Sequence, residues 1–499
     1  MDDLKVKTIR GGLARLCAQG ASFMLRVGSL MVLARLLSPK DFGLVGMVTA
    51  VTGVLTLFRD FGLSAAAVQR TTLTEEQSST LFWINVLLGA LLGLVMLAVA
   101  PAIAAFYHEP QLFEVTAVLA AGFLFNAVGI QHSALLQRQM RFTALAMINV
   151  VSLTAGTAVG IGGAKAGYGY WALVMMTITS PLIATIGFWL TTGWVPGMPR
   201  RRAGIRSMMH FGGALTSTGL VVYVGYNAEK VLIGRFWGVD AIGIYGRAYQ
   251  LVSIPTENLN SAVGEVAFSA LSRLKDDPIR LRSYFLKGFS LVLGLTLPIT
   301  IACGLFADDI VFVFLGPKWQ GAAEIIRLLS PTIAIFAIIN PLGWLIFSTG
   351  LVARGMKAAP VLAAIMIAGY VIGLPYGPKG VAFAYSAALT LWVIPHILWC
   401  VHGTAISFRD VLLTASRPLA SGIVAGVLAS GARLVCGPLV SPLPRLILET
   451  TVLLAVFFGV LLFSARQKSL YTDLIRGLKE GFHINKEDHG LGLAEEKSG

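Results

Sequence analysis

Charged residues are scarce in this chain of 499 residues, of which 13% are charged and 56% are hydrophobic. A mean hydropathy of +0.76 excludes a set of water-soluble domains of this length. A cleavable secretion signal is also missing, because Lys5, Lys7 and Arg10 precede an apolar segment that is longer than a signal-peptide core and has no convincing cleavage site. These absences predict a polytopic membrane protein whose first apolar segment remains as a helix.

Motifs for catalysis, cofactors and metal binding are missing as well. The four cysteines have no C-x-x-C spacing, and the seven histidines have no metal-ligand spacing. There is no P-loop and no nucleophile elbow. Gly167, Gly169 and Ala172 match a dinucleotide fingerprint only superficially, because two membrane helices flank them. We therefore predict no enzyme activity, no catalytic residue, no metal and no cofactor.

The net charge of +14 is explained by membrane topology, and no nucleic-acid partner is expected. Lysines and arginines lie mostly in alternate connections between apolar segments, with nineteen in one set of connections and five in the other. Cytoplasmic loops are enriched in these residues. Both chain termini are therefore predicted to be cytoplasmic.

Fourteen apolar segments approach or exceed the length of about 20 helical residues that spans the hydrocarbon core. They lie near residues 11–36, 41–69, 78–107, 112–137, 143–165, 169–194, 208–236, 240–268, 285–307, 322–348, 356–374, 379–402, 414–436 and 446–465. The predicted fold class is an all-α polytopic membrane protein with about 14 transmembrane helices.

Two parts of the sequence repeat each other. The matched positions are Arg35, Gly43 and Gly46 with Arg235, Gly243 and Gly246, and later Gly167 and Ala172 with Gly377 and Ala382. The interval grows from 200 to 210 residues, which fits an insertion around 308–321, interpreted as a short interfacial segment with an aromatic anchor. Six helices per copy return the chain to the same side of the membrane, so the copies are parallel and surround a central cavity.

The repeat and the charged loops predict five parts of the chain. They are an N-terminal six-helix lobe (1–199), a basic cytoplasmic linker (200–207), a C-terminal six-helix lobe (208–403), two additional transmembrane helices (404–468) and a cytoplasmic tail (469–499).

Polar and ionisable side chains within apolar helices mark the candidate site, because a charge costs roughly 2.5 to 3.5 kcal/mol at mid-membrane. The predicted substrate-binding residues are Arg26, Lys230, Arg247 and Asn227, and the predicted ion-coupling residues are Glu229, Asp60 and Glu257. Cationic walls suit a pyrophosphate, which guanidinium groups bind through paired hydrogen bonds. An acid among those cations exchanges a proton or Na⁺. A buried structural network is the alternative, and for Asp60 a local ion pair with Arg59.

Six stretches of this sequence resemble the polysaccharide-transporter family of bacterial flippases, and more closely its colanic-acid and exopolysaccharide branch, within the multidrug/oligosaccharidyl-lipid/polysaccharide exporter superfamily. The stretches are LARLLSPKDFGLVGM (33–47), DFGLSAAAVQR (60–70), ALLQRQMRF (134–142), GYGYWALV (167–174), NAEKVLIGRFWGVDAIGIYGRAYQL (227–251) and FSALSRLKDDPIRLR (268–282). The resemblance covers most of residues 5–460.

The resemblance implies two six-helix lobes that face a central cavity, with two further helices at the C-terminus. It also implies that an undecaprenyl-pyrophosphate-linked oligosaccharide repeat moves across the bacterial inner membrane by alternating access, for exopolysaccharide or lipopolysaccharide biosynthesis. Partners would be H⁺ or Na⁺ and the polysaccharide polymerase and export machinery. Where the family pattern reads Asn-x-Asp-Asn, this chain has Asn227, Ala228, Glu229 and Lys230, so a lysine could neutralise the acid.

Two other functions stay open at this point. A drug/cation antiporter of the same superfamily would need a cavity that favours cations, and the basic excess of this chain argues against it. A non-transporting membrane assembly component would use the ionisable residues only for structure.

Overall fold

The computed structural model describes residues 2–59, 74–200, 206–436 and 441–464, and their side chains except at 2–17, 206–219, 222, 257–262, 265–266, 435–436 and 464. Regular structure in these ranges is entirely helical, which confirms the predicted all-α class. The helices are α1 (Asp2–Leu36), α2 (Pro39–Phe58), α3 (Glu75–Tyr107), α4 (Gln111–Arg138), α5 (Phe142–Lys165), α6 (Tyr170–Thr192), α7 (Arg206–Arg273), α8 (Pro278–Leu305), α9 (Ala307–Phe314), α10 (Gly321–Ser348), α11 (Val352–Gly373), α12 (Gly377–Val401), α13 (Phe408–Cys436) and α14 (Pro442–Gly459).

Ten helical stretches of the described chain are long and apolar enough to span a membrane. One of them, Val352–Val401, contains both α11 and α12. Helix α1 and the two segments of α7 account for the remaining predicted spans. The protein is therefore a multi-pass membrane protein, as its hydropathy predicted.

The sequence signals for helix starts are visible at α2 and α3. The Ser38 side chain accepts a hydrogen bond from the Asp41 amide while the Asp41 carboxylate accepts one from Ser38, and Pro39 occupies the first turn. Thr74 and Gln77 form the same reciprocal pair at the start of α3. Each pair satisfies amides that the first helical turn leaves without partners.

A single residue divides α7 into the two segments that the sequence predicted as separate helices. Gly238 has φ 81° and ψ −174°, which is incompatible with a helix and is a conformation that only glycine adopts readily. The predicted boundary between 236 and 240 is therefore confirmed.

The insertion around 308–321 forms the short helix α9 and a 3₁₀ turn at Pro317–Trp319. The expected interfacial anchor, Trp319, is instead fully buried. Its indole Nε1 donates to the Ala34 carbonyl over 2.8 Å, and its ring meets Phe42 edge-on at 5.4 Å. The one polar group of this indole is hydrogen-bonded inside the protein, so Trp319 packs in the core and does not lie at the membrane interface.

Contacts divide the chain into two compact units. The first comprises Met1–Leu251, Ile310–Leu329 and Met356–Leu389, and the second comprises Val252–Asp309, Ser330–Gly355 and Thr390–Gly499. The candidate site described below lies in the first unit. The predicted lobe boundary at 200–207 stays a prediction.

The second unit contains α13 and α14, the two helices beyond the repeat, and a buried charge cluster holds them. Arg445 of α14 forms a forked ion pair with Asp309 of α9, which is 1% exposed. Arg433 of α13 donates to the Leu305 carbonyl and lies 3.4 Å from Asp308 and 3.8 Å from Glu449. These bonds join both helices to the α8–α9 corner.

Candidate functional site

The repeated glycines meet each other across a close helix contact in the first unit. A side chain at Gly43 of α2 would overlap the Val239 carbonyl, and one at Gly243 of α7 would overlap the Pro39 carbonyl. Positions 39 and 239 are related by the same 200-residue interval as positions 43 and 243. The contact is therefore reciprocal, as contacts about a two-fold axis are, and it brings the backbone of α2 against α7.

Next to this contact, the first segment of α7 carries a chain of polar side chains. Asn227 donates through Nδ2 to the Tyr223 carbonyl over 3.0 Å and accepts a 2.8 Å hydrogen bond from Lys230 Nζ. The Lys230 ammonium also lies 5.6 Å from the centroid of the Tyr249 ring. Lys230 forms no ion pair with Glu229, so the expected neutralisation of the acid by its neighbour does not occur through direct contact.

Glu229 points into a buried group of tyrosines. The residue is 0% exposed, and neither carboxylate oxygen has a hydrogen-bond partner among the described residues. Tyr245, Tyr370 and Tyr385 interact electrostatically with its charge and are themselves buried. The rings of Tyr370 and Tyr385 are 5.1 Å apart. A buried carboxylate without a hydrogen-bond partner is energetically costly.

Arg247 lies on the second segment of α7 and is half-buried. Its guanidinium carbon lies 4.5 Å from the centroid of the Phe42 ring, and one terminal nitrogen donates to Gln250 Oε1. The aromatic face and the amide orient the guanidinium. Its Nε is buried and has no hydrogen-bond partner within the part of the chain that the structure describes.

Three further residues were predicted for the site, and the structure describes the side chain of only one of them, Arg26. Arg26 is exposed on α1, and no hydrogen bond or ion pair joins its guanidinium to a described residue. Asp60 lies outside the described residues. Glu257 belongs to α7, but its side chain also lies outside them. No group of three or more metal-ligating side chains occurs within the residues that the structure describes.

Sequence reasoning missed the tyrosines around Glu229 and the aromatic partner of Arg247. A signal was present, because Tyr245 and Tyr249 lie one helical turn apart and Tyr370 and Tyr385 lie inside apolar helices. A phenol hydroxyl inside an apolar helix needs a polar neighbour as much as a charge does. The sequence alone did not reveal that these tyrosines and Glu229 are buried in the same part of the protein.

Comparison with known protein families gives one match that covers more than half of this chain. The profile described as "Polysaccharide biosynthesis protein" matches residues 32–324. This range includes α2 and the α7 cluster.

Two curated relatives match this chain over much of its length. The teichuronic acid biosynthesis protein TuaB of Bacillus subtilis (strain 168) is 30% identical over 304 residues, which are 58% of this chain and 61% of TuaB. The lipopolysaccharide biosynthesis protein WzxC of Escherichia coli (strain K12) is 25% identical over 376 residues, 74% of this chain and 76% of WzxC. The match to TuaB thus spans less than two thirds of that relative's length.

Solved structures show the same fold. The lipid II flippase MurJ in an inward closed conformation aligns with a TM-score of 0.74 at 14% identity, covering 93% of this chain and 100% of MurJ. An inward-facing multidrug resistance transporter of the MATE family, in the MOP superfamily, aligns with a TM-score of 0.62 at 14% identity, covering 78% and 97%. At such identities the likeness concerns fold alone.

Proposed function

The chain belongs to the polysaccharide biosynthesis protein family, and from this premise we propose that it is a flippase for a lipid-linked oligosaccharide. Its substrate is an undecaprenyl-pyrophosphate-linked repeat unit, which it moves across the bacterial inner membrane by alternating access, with both termini in the cytoplasm. The colanic-acid and exopolysaccharide branch is the subgroup that the sequence favours. The polysaccharide polymerase and export machinery are its proposed functional partners.

The names of relatives and neighbours support the substrate class. TuaB and WzxC are named for the biosynthesis of teichuronic acid and lipopolysaccharide, and ExoT of Rhizobium meliloti (strain 1021) for succinoglycan transport. MurJ, which has the same fold, is named as a flippase of lipid II. Three of these names concern the biosynthesis of a polysaccharide or lipopolysaccharide, and those of ExoT and MurJ add transport and flipping.

The orientation of Arg247 is the observation that carries the binding part of the proposal. A half-buried guanidinium held between Phe42 and Gln250 retains an Nε–H for an anion. Lys230, which Asn227 positions through a 2.8 Å hydrogen bond, adds a second cation on the preceding segment of the same helix. We assign Arg26 to the same pyrophosphate, since it is a further exposed cation on α1 of the first unit.

Coupling to an ion gradient is assigned to Glu229, because its buried carboxylate has no hydrogen-bond partner among the described residues. A bound H⁺ or Na⁺ would remove the cost of that unpaired charge. Asp60 and Glu257 are further candidates for the same role, as acids within predicted transmembrane helices.

A transport assay tests the binding part. Full-length protein is placed in liposomes that contain fluorescent undecaprenyl-pyrophosphate oligosaccharide, and an impermeant quencher reports the lipid in each leaflet, with and without an ion gradient. Arg247→Ala combined with Arg26→Ala should lower the rate about tenfold to hundredfold, as expected for losing charged hydrogen bonds. Arg280→Ala, on the exposed start of α8, is the matched control and should transport normally. Unchanged transport by the double variant would refute the assignment.

The same liposomes test the coupling. Glu229→Gln should transport at a rate that no longer responds to an imposed H⁺ or Na⁺ gradient, because the amide cannot exchange a cation. A preserved gradient response in this variant would exclude Glu229 as the coupling residue. Cation efflux without movement of any lipid-linked glycan would favour the antiporter instead.

A further inference from the structure

A cavity lies in the first unit, at the side of α2 that carries a row of threonines. It has a volume of about 300 Å³ and is bounded by α2, α3, α4 and α6. Its polar lining consists of Thr49, Thr52, Thr56, Arg59, Asn126 and Thr177. The volume is at the lower end of small-molecule sites, which hold about 300 to 1,000 Å³.

Most of these polar groups present acceptors to the cavity. Thr49, Thr56 and Thr177 donate their hydroxyl protons to the carbonyls of Gly46, Gly53 and Leu173, over 3.1, 2.6 and 2.8 Å. A threonine hydroxyl that donates within its own helix still offers oxygen lone pairs. The cavity wall therefore has three hydroxyl groups that already donate their hydrogens to backbone carbonyls and can only accept hydrogen bonds from a ligand.

Asn126 adds a fourth acceptor, because its Nδ2 donates to the Gly122 carbonyl over 2.8 Å and leaves Oδ1 to accept. The donors on the wall are the Thr52 hydroxyl, the second N–H of the Asn126 amide and the Arg59 guanidinium. The Thr52 hydroxyl has no hydrogen-bond partner among the residues that the structure describes. The described wall thus offers both acceptors and donors, and the cavity is otherwise lined by apolar side chains such as Met96 and Phe123.

The hydrogen-bond donors and acceptors on the cavity wall indicate which class of ligand fits. A pyrophosphate brings only acceptors and would leave the four acceptors of the wall without donors. A cationic drug would need a carboxylate, and none of the described residues that line the cavity is acidic. A sugar ring brings several hydroxyl donors for the acceptors and a C–H face for the apolar wall. Polyols are therefore the ligand class that the cavity fits best.

The cavity is joined to the site that holds Lys230. Tyr223, whose carbonyl binds Asn227, donates its hydroxyl to the carbonyls of Ala50 and Thr49, over 3.2 and 3.3 Å. A side chain at Gly53 would overlap that hydroxyl. The cavity wall of α2 and the first segment of α7 are thus in direct contact at Tyr223.

We propose that this threonine-lined cavity binds a hexose ring of the lipid-linked glycan, while the α7 cluster binds its pyrophosphate. The inference rests on the proposed function and adds a separate subsite to it. On this proposal the cavity contributes to the affinity for the sugar and does not contribute to the affinity for the lipid pyrophosphate.

Binding of two lipids that differ by one sugar tests this subsite. Full-length protein in nanodiscs is titrated with undecaprenyl pyrophosphate and with undecaprenyl pyrophosphate glucose, and the ratio of the two Kd values measures the sugar's contribution. The wild-type protein should bind the glucosylated lipid about tenfold more tightly. Thr52→Val with Thr177→Val should bring the ratio close to one without changing the Kd of the sugar-free lipid.

Thr154→Val is the matched control. Thr154 donates to the Val150 carbonyl over 2.8 Å, as Thr177 does to Leu173, but it is exposed on α5 and does not line the cavity. This variant should keep the wild-type ratio. Equal melting temperatures of all variants show that each one is folded.

The outcomes separate the two proposals. A wild-type ratio near one, or a tenfold ratio that survives in the Thr52→Val and Thr177→Val variant, overturns the sugar subsite and leaves the flippase proposal standing. A wild-type protein that binds neither lipid overturns both. Loss of affinity for both lipids in the threonine variant would also refute a site specific to the sugar.

Discussion

The reciprocal glycine contact between α2 and α7 makes a strong prediction about two neighbouring substitutions. Gly243→Ala would place a methyl group against the Pro39 carbonyl and 3.2 Å from the Gly43 amide nitrogen. These neighbours are backbone atoms, so no change of rotamer relieves the overlap and the helices must separate. Gly246→Ala, less than one turn further along the same segment, meets no atom within 4 Å.

The expected magnitudes follow from packing and helix propensity. Overpacking costs about 1 to 3 kcal/mol, and alanine in place of glycine in a helix recovers about 1 kcal/mol. Gly243→Ala should therefore lose up to about 2 kcal/mol of stability. Gly246→Ala should gain about 0.4 to 1 kcal/mol, because only the propensity acts there. By the repeat, Gly43→Ala should resemble Gly243→Ala, and Gly46→Ala should resemble Gly246→Ala.

Thermal unfolding of the purified full-length protein in detergent, followed by intrinsic fluorescence, measures the order of the four variants. Gly43→Ala and Gly243→Ala should melt below the wild type, and the two controls at or above it. The double variant Gly43→Ala with Gly243→Ala should lose less than the sum of the single losses, because one separation of the helices accommodates both methyl groups. Equal melting temperatures for Gly243→Ala and Gly246→Ala would refute the close contact.

Three further substitutions test contacts elsewhere in the chain, each by the same melting assay. Arg445→Leu removes the forked ion pair of the buried Asp309, leaves it only Arg433 at 3.8 Å, and should cost about 3 to 5 kcal/mol, whereas Arg445→Leu combined with Asp309→Leu should recover most of that loss. Arg282→Ala removes an ion pair to Asp410 in which the arginine side chain is 51% exposed, so the loss should stay below about 1 kcal/mol; a larger loss would contradict the assignment of stability to the buried cluster. Trp319→Phe removes the 2.8 Å hydrogen bond to the Ala34 carbonyl and should cost about 1 to 3 kcal/mol, and a variant as stable as the wild type would show that this bond contributes nothing.

Several parts of the fold were predictable because they depend on local properties of the chain. Hydropathy summed over about 20 residues marks a spanning helix wherever it occurs. Gly238 was recognisable as the interruption of α7, since glycine between two apolar helical segments favours a corner. The repeat was visible in the spacing of Gly43 and Gly243, although their mutual contact was not.

The candidate site was predictable only in part. Depth within an apolar helix singled out Glu229, Lys230 and Arg247, and the structure places all three on α7 near the glycine contact. Residue type suggested that Lys230 could neutralise Glu229, and the structure adds that the Lys230 ammonium donates to the Asn227 side chain. Neighbours in sequence on a helix point in different directions, whereas residues three or four apart share a face.

The sequence by itself determined the membrane class, the helices and the register of the two copies, because these follow from composition, periodicity and spacing along one chain. Only the tertiary structure decided which helix faces meet. Trp319 donates a hydrogen bond to Ala34, 285 residues earlier in the chain. The tyrosines near Glu229 lie on three helices, α7, α11 and α12. Such pairings depend on how whole helices pack against one another, and packing is a property of the assembled chain that no single segment encodes.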